Sequence, residues 1–589
     1  MQVLRQISIL CAVVLALVLA DVPTSLTNFF GSDTTLKEPP CKCFPGDACW
    51  PSIAEWQSFN HSLGGKLVAT VPIGSVCHDS TFGAYDAAKC EALRAAWLIP
   101  LTHDSTSSSM MSSFFVNRSC DAFGERSDPC VVGAHVAYAV NATTAEDYRQ
   151  TLRCARERNI RLVIRNTGHD YFGRSTGPGA LALWTHHNKE IKVIDYDSHW
   201  YRGKALRVGA GVQGFEAHAV ANAAGLVVVT GTCPSVGIAG GFTQGAGLSP
   251  LSALHGMSAD NVLEWEVVTA SGKHLTATPD KHSDLYWALS GGGGGTYAAV
   301  LSMTVRAHPD SPVTATNMTF SYAIDGEDEE VSKSKRKFYE AITVFLSSLP
   351  DLVDTGASVV FLVMGNTFTM TPVVAPNQSV EQVNALLKPT TDKLRALGIP
   401  FASHSETFPS FLDAANAMIP DPGVSDSNLG GRIIPRSAVT SSTSVVQLAE
   451  AIEYIVDCGN LLFGVTLEVA RFANTAPPNA VLPAWRDAIF DAVFGSPTNM
   501  TSIEANLPAQ ERIVNDFESK LEALTPGGGA YLNEAPLRLP HWKEAFFGRN
   551  YDRLAAIKQR YDPAGVFYGT ATVGSEKWTE QDDGRLCQA

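Results

Sequence analysis

Residues 161–175 read RLVIRNTGHDYFGRS and join a branched apolar run to a glycine and a histidine. The run, from residue 160 to residue 165, predicts a buried strand. Beyond it, Gly168 allows a ligand to approach the backbone closely. Short hydrogen-bonding side chains flank this glycine: Asn166, Thr167 and Ser175. The loop therefore predicts a site for a phosphate or a planar ring with His169 at its edge, and the alternative is a loop in which His169 caps its own backbone.

Two glycine-rich stretches downstream strengthen the case for a ligand site. Residues 231–247 read GTCPSVGIAGGFTQGAG, and residues 290–296 read SGGGGGT. In the first stretch, Gly237, Gly240 and Gly241 remove side chains that would block a close approach, whereas a tight turn between helices would need fewer glycines. For the second stretch the alternative is a flexible linker, but the apolar segments on both sides argue against it. The three loops together predict a large, extended, anionic ligand held from several sides.

Three features occur together in this chain: the strand and loop that deliver His169, the segment Cys233-Pro234-Ser235-Val236-Gly237, and the five-glycine run. In this combination the chain resembles the berberine-bridge-enzyme-like branch of the vanillyl-alcohol-oxidase flavoproteins. The resemblance extends over residues 131–309 and resumes at Tyr531-Leu532-Asn533-Glu534 and at residues 550–563. It implies an α+β fold, with a PCMH-type FAD-binding domain of two α/β subdomains and a substrate domain whose antiparallel sheet is covered by helices.

The resemblance also implies the cofactor and how it is attached. FAD would be bound covalently twice, by His169 at the 8α-methyl group and by Cys233 at C6, because imidazole and thiolate are nucleophilic enough to add to an activated ring. The implied cofactor contacts besides these two are Arg165, Asn166, Thr167, Gly168, Gly173, Ser175, Val236, Gly237, Gly240, Gly241 and Asn533. The first loop lacks the Gly-x-Gly-x-x-Gly spacing of nicotinamide-binding Rossmann domains, so the sequence excludes that class.

The implied reaction is hydride removal from a carbon bearing oxygen or nitrogen, or oxidative ring closure, with molecular oxygen as acceptor. Tyr531 is the predicted base, with Asn533 near the flavin pyrimidine, and Glu468 on a strand predicted over residues 463–472 is the rival. Val236 is expected to leave room for oxygen beside the flavin, which favours an oxidase; the alternative is an ordinary core valine.

The Cys-rich lobe before residue 128 is similar to filamentous-fungal homologues rather than plant members, which favours a small organic substrate of fungal secondary metabolism. Two other functions stay open. One is an alcohol or oligosaccharide oxidase of general metabolism. The other is a secreted glycoprotein that keeps the fold without catalysis.

The N-terminus predicts export. Arg5 precedes an apolar run over residues 9–19, and cleavage after Ala20 fits a secretory signal better than a membrane anchor because the run is short and ends at Asp21. A net charge of -15 in 589 residues argues against nucleic acid or an anionic membrane surface as partner. The expected location is therefore the secretory pathway or outside the cell.

Cysteines and glycosylation signals agree with export. Of the 12 cysteines, Cys11 lies in the signal and Cys233 is assigned to the flavin, which leaves an even number that can pair as disulfides. Cys120 and Cys130 form the easiest local pair, and Cys587 is expected to return to the cluster at residues 41–49. A zinc knuckle in that cluster is disfavoured because no histidine stands at ligand spacing, so no metal is expected. N-glycans are expected at some of Asn60, Asn117, Asn141, Asn317, Asn377 and Asn499.

The predicted elements define five regions. A strand over residues 134–140, a helix over 144–157 capped by Thr143 or Thr144, and the strand over 160–165 form a β-α-β unit. Helices over 333–349 and 380–397 accompany strands in the second half, and the acidic run 325–330 is expected to be a solvated turn. The expected regions are a signal peptide (1–20), the Cys-rich lobe (21–127), the FAD-binding domain (128–310), the substrate domain (311–525) and a C-terminal segment that returns to the FAD-binding domain (526–589).

Overall fold

A computed structural model describes residues 41–116, 119–420, 423–424, 426–500 and 502–589. The signal-like run of residues 1–20 and the sequon asparagine at position 117 lie outside these residues. None of the helices in the described part of the chain combines the length and the apolarity that a bilayer crossing requires.

A four-stranded sheet carries the His169 loop, in the order β1-β2-β4-β3. Its strands are β1 (Leu67–Ala69), β2 (Tyr138–Asn141), β3 (Leu162–Arg165) and β4 (Leu181–Trp184). The helix Ala145–Glu157 connects β2 to β3 and begins at Thr144, whose side chain accepts the amide hydrogen of Asp147 in a capping box. The predicted β-α-β unit is present, but β4 lies between its two strands and pairs with both in parallel.

A five-stranded antiparallel sheet follows, in the order β5-β6-β10-β8-β9. The strands of this region are β5 (Ile191–Asp197), β6 (Arg202–Gly209), β7 (Leu226–Val227), β8 (Val262–Val268), β9 (His274–Ala277), β10 (Ala299–Arg306) and β11 (His308–Pro309). The short strands β7 and β11 pair with each other. Helices Gly214–Ala223 and Ser283–Leu289 contribute buried side chains to the same core as Trp265. Both glycine-rich loops leave this region.

A seven-stranded antiparallel sheet occupies the second half of the chain, in the order β15-β12-β14-β13-β17-β18-β16. Its strands are β12 (Val313–Ser321), β13 (Ser358–Met364), β14 (Thr367–Pro376), β15 (Phe401–Phe408), β16 (Ser427–Pro435), β17 (Leu461–Thr466) and β18 (Ala488–Pro497). Helices Asp328–Val353, Val380–Leu397 and Ser442–Asp457 cover one face through a core that includes Phe345 and Phe361. The opposite face of the sheet is not covered by these helices and borders the candidate site. The combination of helices and antiparallel sheets confirms the expected α+β fold.

Two predicted boundaries in this half are wrong. The strand β17 ends at Thr466, not at residue 472, because the chain turns into a short 3-10 helix at Ala470–Ala473. The acidic run is not a solvated turn throughout: Asp328 starts the long helix, and three acidic residues occupy its first turn, where the helix dipole favours negative charge.

Four disulfides crosslink the described residues: Cys41–Cys587, Cys43–Cys49, Cys77–Cys90 and Cys120–Cys130. The predicted local pair and the predicted return of Cys587 are both confirmed. Cys154 and Cys458 remain thiols. The sequence allowed Cys154 either to pair or to be a buried thiol in a helix, and the second alternative is confirmed, whereas the possible pairing of Cys458 is wrong. Cys154 lies inside a helix, where burial raises the pKa of its thiol to about 11. The zinc alternative also fails, since the three sulfurs of the N-terminal cluster are all in disulfides.

The C-terminal segment contacts the glycine-rich region. Its helix Tyr551–Tyr561 places the Lys558 ammonium where it donates to the carbonyl of Thr296, directly after the five-glycine run. The remaining elements are the helices Ile53–Ser62, Ala87–Ala95, Pro100–Asp104, Ser252–His255, Phe411–Met418, Ser437–Thr440, Leu507–Arg512, Ser519–Leu524 and Trp542–Phe547, and the strands β19 (Trp578–Glu580) and β20 (Leu586–Gln588).

Candidate active site

A cavity of about 610 Å³ lies between the glycine-rich loops and the uncovered face of the seven-stranded sheet. This volume is in the range of cofactor and ligand sites in proteins. The predicted site residues that line it are Asn166, Thr167, Gly168, His169, Ser175, Cys233, Val236, Gly237, Gly240, Gly241, Tyr531 and Asn533. Residues from three distant parts of the chain therefore meet at one site.

Two predicted cofactor contacts support the first loop instead of lining the cavity. Arg165 is buried beneath the loop, where its Nη2 donates to the carbonyl of Thr167 at 3.3 Å. Gly168 has a φ of +89°, and a Cβ there would lie 2.5 Å from Arg165 Nη1, so only glycine fits. Gly173 similarly packs against the ring of Phe115, which a Cβ would approach to 2.8 Å. Neither Arg165 nor Gly173 therefore lines the cavity.

Asp170 fixes the conformation of the loop just after His169. Its carboxylate accepts the backbone amides of Phe172 at 3.2 Å, Arg174 at 2.6 Å and Ser175 at 3.0 Å. Three charge-assisted hydrogen bonds to one carboxylate hold the chain in a tight turn. This turn determines where His169 points.

Ser235 joins the two predicted attachment residues. His169 Nε2 lies 2.9 Å from Ser235 Oγ, and Cys233 Sγ lies 3.4 Å from the same oxygen. Burial lowers the pKa of His169 to about 4, and His103 and Arg165 add to the shift. The imidazole is therefore neutral at pH 7 and keeps a lone pair. A neutral imidazole and a thiol on one wall are two nucleophiles that a covalently attached cofactor would need.

The loop of residues 231–247 contacts the His169 loop. A Cβ at Gly237 would lie 2.0 Å from Asn166 Nδ2, so this glycine is required by the contact between the loops. The carbonyl of Val236 accepts the amide of Gly214 at 3.0 Å, which fixes the backbone while the valine side chain faces the cavity.

The five-glycine run is an ordered part of the wall rather than a linker. The amides of Gly291 and Gly293 both donate to the carbonyl of Gln244, at 3.1 Å and 2.8 Å. A Cβ at Gly294 would lie 2.7 Å from Gly241 Cα, so the two glycine-rich loops touch backbone to backbone. The absence of side chains keeps this side of the cavity open.

Tyr531 and Asn533 are connected through one amide group. Asn533 Nδ2 donates to the Tyr531 hydroxyl at 2.9 Å and lies 3.0 Å from the carbonyl of Gly241. Burial, followed by the charge of Glu534, raises the pKa of Tyr531 above its usual range. Glu468 does not line the cavity: it follows β17, and its carboxylate accepts the amide of Ala470 at 3.1 Å. The structure thus separates the two candidate bases.

Two carboxyl groups near Tyr531 received no role from the sequence patterns, although Glu534 ends the motif that begins at Tyr531. Glu534 lines the cavity, and burial raises its pKa to about 7. Asp491, in the middle of β18, is 1% exposed, and neither of its oxygens has a hydrogen-bond partner among the described residues. Burial, followed by Glu534, raises the pKa of Asp491 well above its usual range. The signal for Asp491 was a lone acid within the apolar stretch 488–494.

The cavity fits an anionic, planar cofactor. Besides the glycine backbone and the two nucleophiles, its wall contains Arg174, a guanidinium enclosed by protein whose pKa burial lowers to about 10. Arg174 Nη1 donates to the carbonyl of Leu532 at 3.0 Å, whereas Nη2 has no hydrogen-bond partner among the described residues. A buried cation with an open donor favours a ligand that carries negative charge.

The wall contributed by the seven-stranded sheet is mostly apolar, and its polar side chains are Ser427 of β16 and Thr371 of β14. The side chains that β13, β16, β17 and β18 place on it are Leu362, Ser427, Leu429, Leu461, Phe463, Val465 and Val493. None of the described lining residues from this sheet is charged. A bound molecule therefore meets mainly hydrocarbon on this side and glycine backbone on the other.

Comparison with known proteins agrees with this geometry. A family model for "FAD binding domain" matches residues 136–278, and one for "Berberine and berberine like" matches residues 530–573. FAD-linked oxidoreductase sor8 of Hypocrea jecorina (strain QM6a) is 46% identical over 550 residues, which are 93% of each chain. VAO-type flavoprotein oxidase VAO615 of Thermothelomyces thermophilus is 42% identical over 94% of this chain and 96% of its own.

Solved structures give the same result. The crystal structure of VAO-type flavoprotein MtVAO615 from Myceliophthora thermophila C1 superposes with a TM-score of 0.89 at 42% identity, covering 93% of this chain and 100% of that one. The glucooligosaccharide oxidase of Acremonium strictum, at a TM-score of 0.61 and 18% identity, covers 75% of this chain and 92% of its own and shares the fold. This chain belongs to the FAD-linked oxidoreductases of the VAO-type, berberine-bridge-like family.

Proposed function

We propose that this FAD-linked oxidoreductase is a secreted oxidase with a bicovalently attached flavin. It removes a hydride from a carbon bearing oxygen or nitrogen, or closes a ring oxidatively, in fungal secondary metabolism. The observation that carries the proposal is the arrangement of His169, Ser235 and Cys233 on one wall of the cavity. In the distant glucooligosaccharide oxidase the cofactor is named a 6-S-cysteinyl, 8α-N1-histidyl FAD.

The protein would hold and orient the cofactor with groups that are already in place. His169 and Cys233 would form the covalent bonds, Asn533 would sit at the pyrimidine end, and Arg174 would balance negative charge. Bound FAD supplies a two-electron acceptor that molecular oxygen can reoxidise. The apolar sheet would exclude water from the reacting carbon.

The apolar wall favours a lipophilic alcohol over an oligosaccharide as substrate. A sugar would leave several hydroxyl groups facing Leu461, Phe463 and Val493 without partners, at a cost of about 1–3 kcal/mol for each unpaired group. The alternative of a glycoprotein without catalysis is disfavoured because His169, Cys233 and the glycine walls are all retained around an open cavity.

Anaerobic reduction tests the proposed function. Cinnamyl alcohol and geraniol should bleach the flavin of the holoenzyme, air should restore the oxidised spectrum, and hydrogen peroxide should form. Cellobiose and maltotriose serve as matched polar substrates and should reduce the flavin much more slowly. A flavin that none of these four compounds reduces would contradict the oxidase proposal, whereas reduction by the sugars alone would contradict only the lipophilic substrate.

Val236→Leu should slow reoxidation of the reduced flavin by about tenfold or more, equivalent to at least about 1.4 kcal/mol in the barrier. Val236 lines the cavity beside the attachment residue Cys233, and the added methylene would narrow the path that oxygen takes to the ring. Stopped-flow mixing with aerated buffer measures this half-reaction separately from flavin reduction. Val493→Leu, on the sheet side of the same cavity, is the control; equal reoxidation rates in wild type and Val236→Leu would remove Val236 from the mechanism.

The exported protein should begin at Asp21 and carry a glycan at Asn377 but not at Asn317. Asn377 is exposed in a turn with a φ of +58°, whereas Asn317 lies in β12 between two paired strands. An oligosaccharide can reach an exposed turn more easily than a position within a sheet. N-terminal sequencing and glycopeptide mass spectrometry of protein from the culture medium check both statements. Intracellular protein with residues 1–20 retained and no glycan would contradict them.

A further inference from the structure

We infer that Glu534, rather than Tyr531 or Glu468, is the catalytic base of the proposed oxidase reaction. The inference rests on the proposed function. It assigns the proton acceptor of the same site and adds Asp491 as a positioning residue. Glu534 ends the motif Tyr531-Leu532-Asn533-Glu534 but received no role from it, and Asp491 lies outside every motif.

Glu534 is held in the cavity wall by contacts to its backbone. Its amide donates to the carbonyl of Tyr531 at 2.9 Å, which closes a turn. The carbonyl of Leu532, two residues earlier, accepts from Arg174, and the side-chain amide of Asn533 donates to the carbonyl of Gly241 in the loop of residues 231–247. On the other side, a Cβ at Gly431 of β16 would lie 1.9 Å from the carbonyl oxygen of Glu534. The side chain is thereby presented to the cavity from a fixed backbone.

Tyr531 is poorly suited to accept a proton. Its hydroxyl already accepts a hydrogen bond from Asn533, and the side chain is 2% exposed. Burial and the neighbouring acids raise its pKa, which moves it away from the range in which a phenolate forms at neutral pH. A carboxyl group that faces the cavity requires no such activation.

Burial raises the pKa of Glu534 to about 7, so its carboxyl group ionises near neutral pH. The ionisable groups that interact with Glu534 are Asp491, on β18, and Tyr531, in the same turn. Asp491 is the more deeply buried acid, and burial raises its pKa well above the usual range, which favours its neutral form. A neutral Asp491 does not oppose the carboxylate, whereas an ionised one would.

The step is balanced as a two-electron oxidation. The O–H bond of the alcohol breaks, and its proton forms a new O–H bond with the Glu534 carboxylate. The C–H bond would break with its electron pair and leave as hydride, for which FAD, when bound, would be the two-electron acceptor, and the carbon would become a carbonyl. Glu534 afterwards releases the proton to solvent, which restores the carboxylate.

Anaerobic stopped-flow reduction of the holoenzyme by cinnamyl alcohol tests this assignment. Glu534→Gln should lower the reduction rate constant by about 10²–10⁴-fold, the range for loss of a general base, and abolish the rise in rate between about pH 6 and pH 8. Tyr531→Phe should keep that pH profile. Glu468→Gln, an acid outside the cavity, is the matched control and should behave as wild type. Wild-type rates in Glu534→Gln, or loss of the pH profile only in Tyr531→Phe, would overturn the inference.

A second measurement does not depend on turnover. Infrared difference spectra of the holoenzyme between pH 5 and pH 9 should contain the band of a carboxyl group that loses its proton near pH 7, and Glu534→Gln should lack it. Persistence of that band in Glu534→Gln would refute the inference even if no alcohol reduces the flavin. If the band is present in wild type and absent from Glu534→Gln, but no alcohol reduces the wild-type flavin, then the proposed function is wrong and the assignment of the titrating group to Glu534 stands.

Discussion

His169→Ala and Cys233→Ala should each keep a covalently bound flavin, whereas the double variant should release all of its flavin on acid precipitation. Each residue provides a separate nucleophile on the same wall, within hydrogen-bonding reach of Ser235. Loss of one bond leaves the other, but it should lower the reduction potential and slow turnover. Absorbance of the pellet and supernatant, with a titration of the potential, measures these effects.

The control for this prediction is His187→Ala. His187 is an exposed histidine outside the cavity, bonded to Asn141 at 3.0 Å, and its removal should leave flavin retention and potential unchanged. Complete release of flavin from His169→Ala alone would mean that Cys233 forms no bond. Complete release from wild type would remove covalent attachment altogether.

Asp562→Ala should lower the free energy of unfolding by about 3–5 kcal/mol, the range for removing one partner of a buried ion pair. Lys558 Nζ lies 2.6 Å from Asp562 Oδ2 and also donates to the carbonyls of Thr296 and Phe567. Burial lowers the pKa of Lys558, and the Asp562 charge acts against this shift. Without the carboxylate, the ammonium is left buried and uncompensated between the C-terminal segment and the five-glycine run.

Urea unfolding of the holoenzyme followed by tryptophan fluorescence measures the loss. Glu157→Ala breaks an exposed pair with Arg153 at 2.9 Å and should cost less than about 0.5 kcal/mol. Adding Lys558→Met to Asp562→Ala should recover part of the stability, because the double variant no longer buries an unpaired charge. Equal losses in Asp562→Ala and Glu157→Ala would show that the buried pair does not hold this segment in place.

Local chemistry made much of the site predictable from the sequence. The strand β3, its glycine with positive φ and the histidine that follows are all specified by neighbouring residues, and so is the helix Val380–Leu397, which has the predicted ends. The two glycine-rich loops were predicted as walls because several glycines in one loop have few other uses. They do form walls, and Gly237 is needed where one loop meets the other.

Non-local pairing was not predictable in the same way. The insertion of β4 between β2 and β3 depends on contacts between distant segments, which periodicity does not encode. The contacts of Arg165 and Gly173 were not predictable either. Arg165 donates to the carbonyl of Thr167 and Gly173 packs against Phe115, and a sequence motif identifies such residues without showing which atoms they contact.

The carboxyl groups were hidden for a different reason. Glu534 gains its raised pKa only because the cavity encloses it, and Asp491 meets it only through the register of β18 with its neighbours. Glu468, in contrast, was expected to sit on a strand, but the strand ends at Thr466 and the side chain turns to Ala470. Burial in the folded chain, rather than residue type, distinguishes the three acids.

Peptide mapping of the wild-type protein tests the central claim most directly, namely that this cavity holds a flavin bound at two points. Acid-precipitated holoenzyme is digested with trypsin, and the flavin-bearing fraction is sequenced by mass spectrometry. The expected result is one flavin linked to both the peptide containing His169 and the peptide containing Cys233. Unmodified His169 and Cys233 peptides, with all the FAD recovered in the supernatant, would contradict the account.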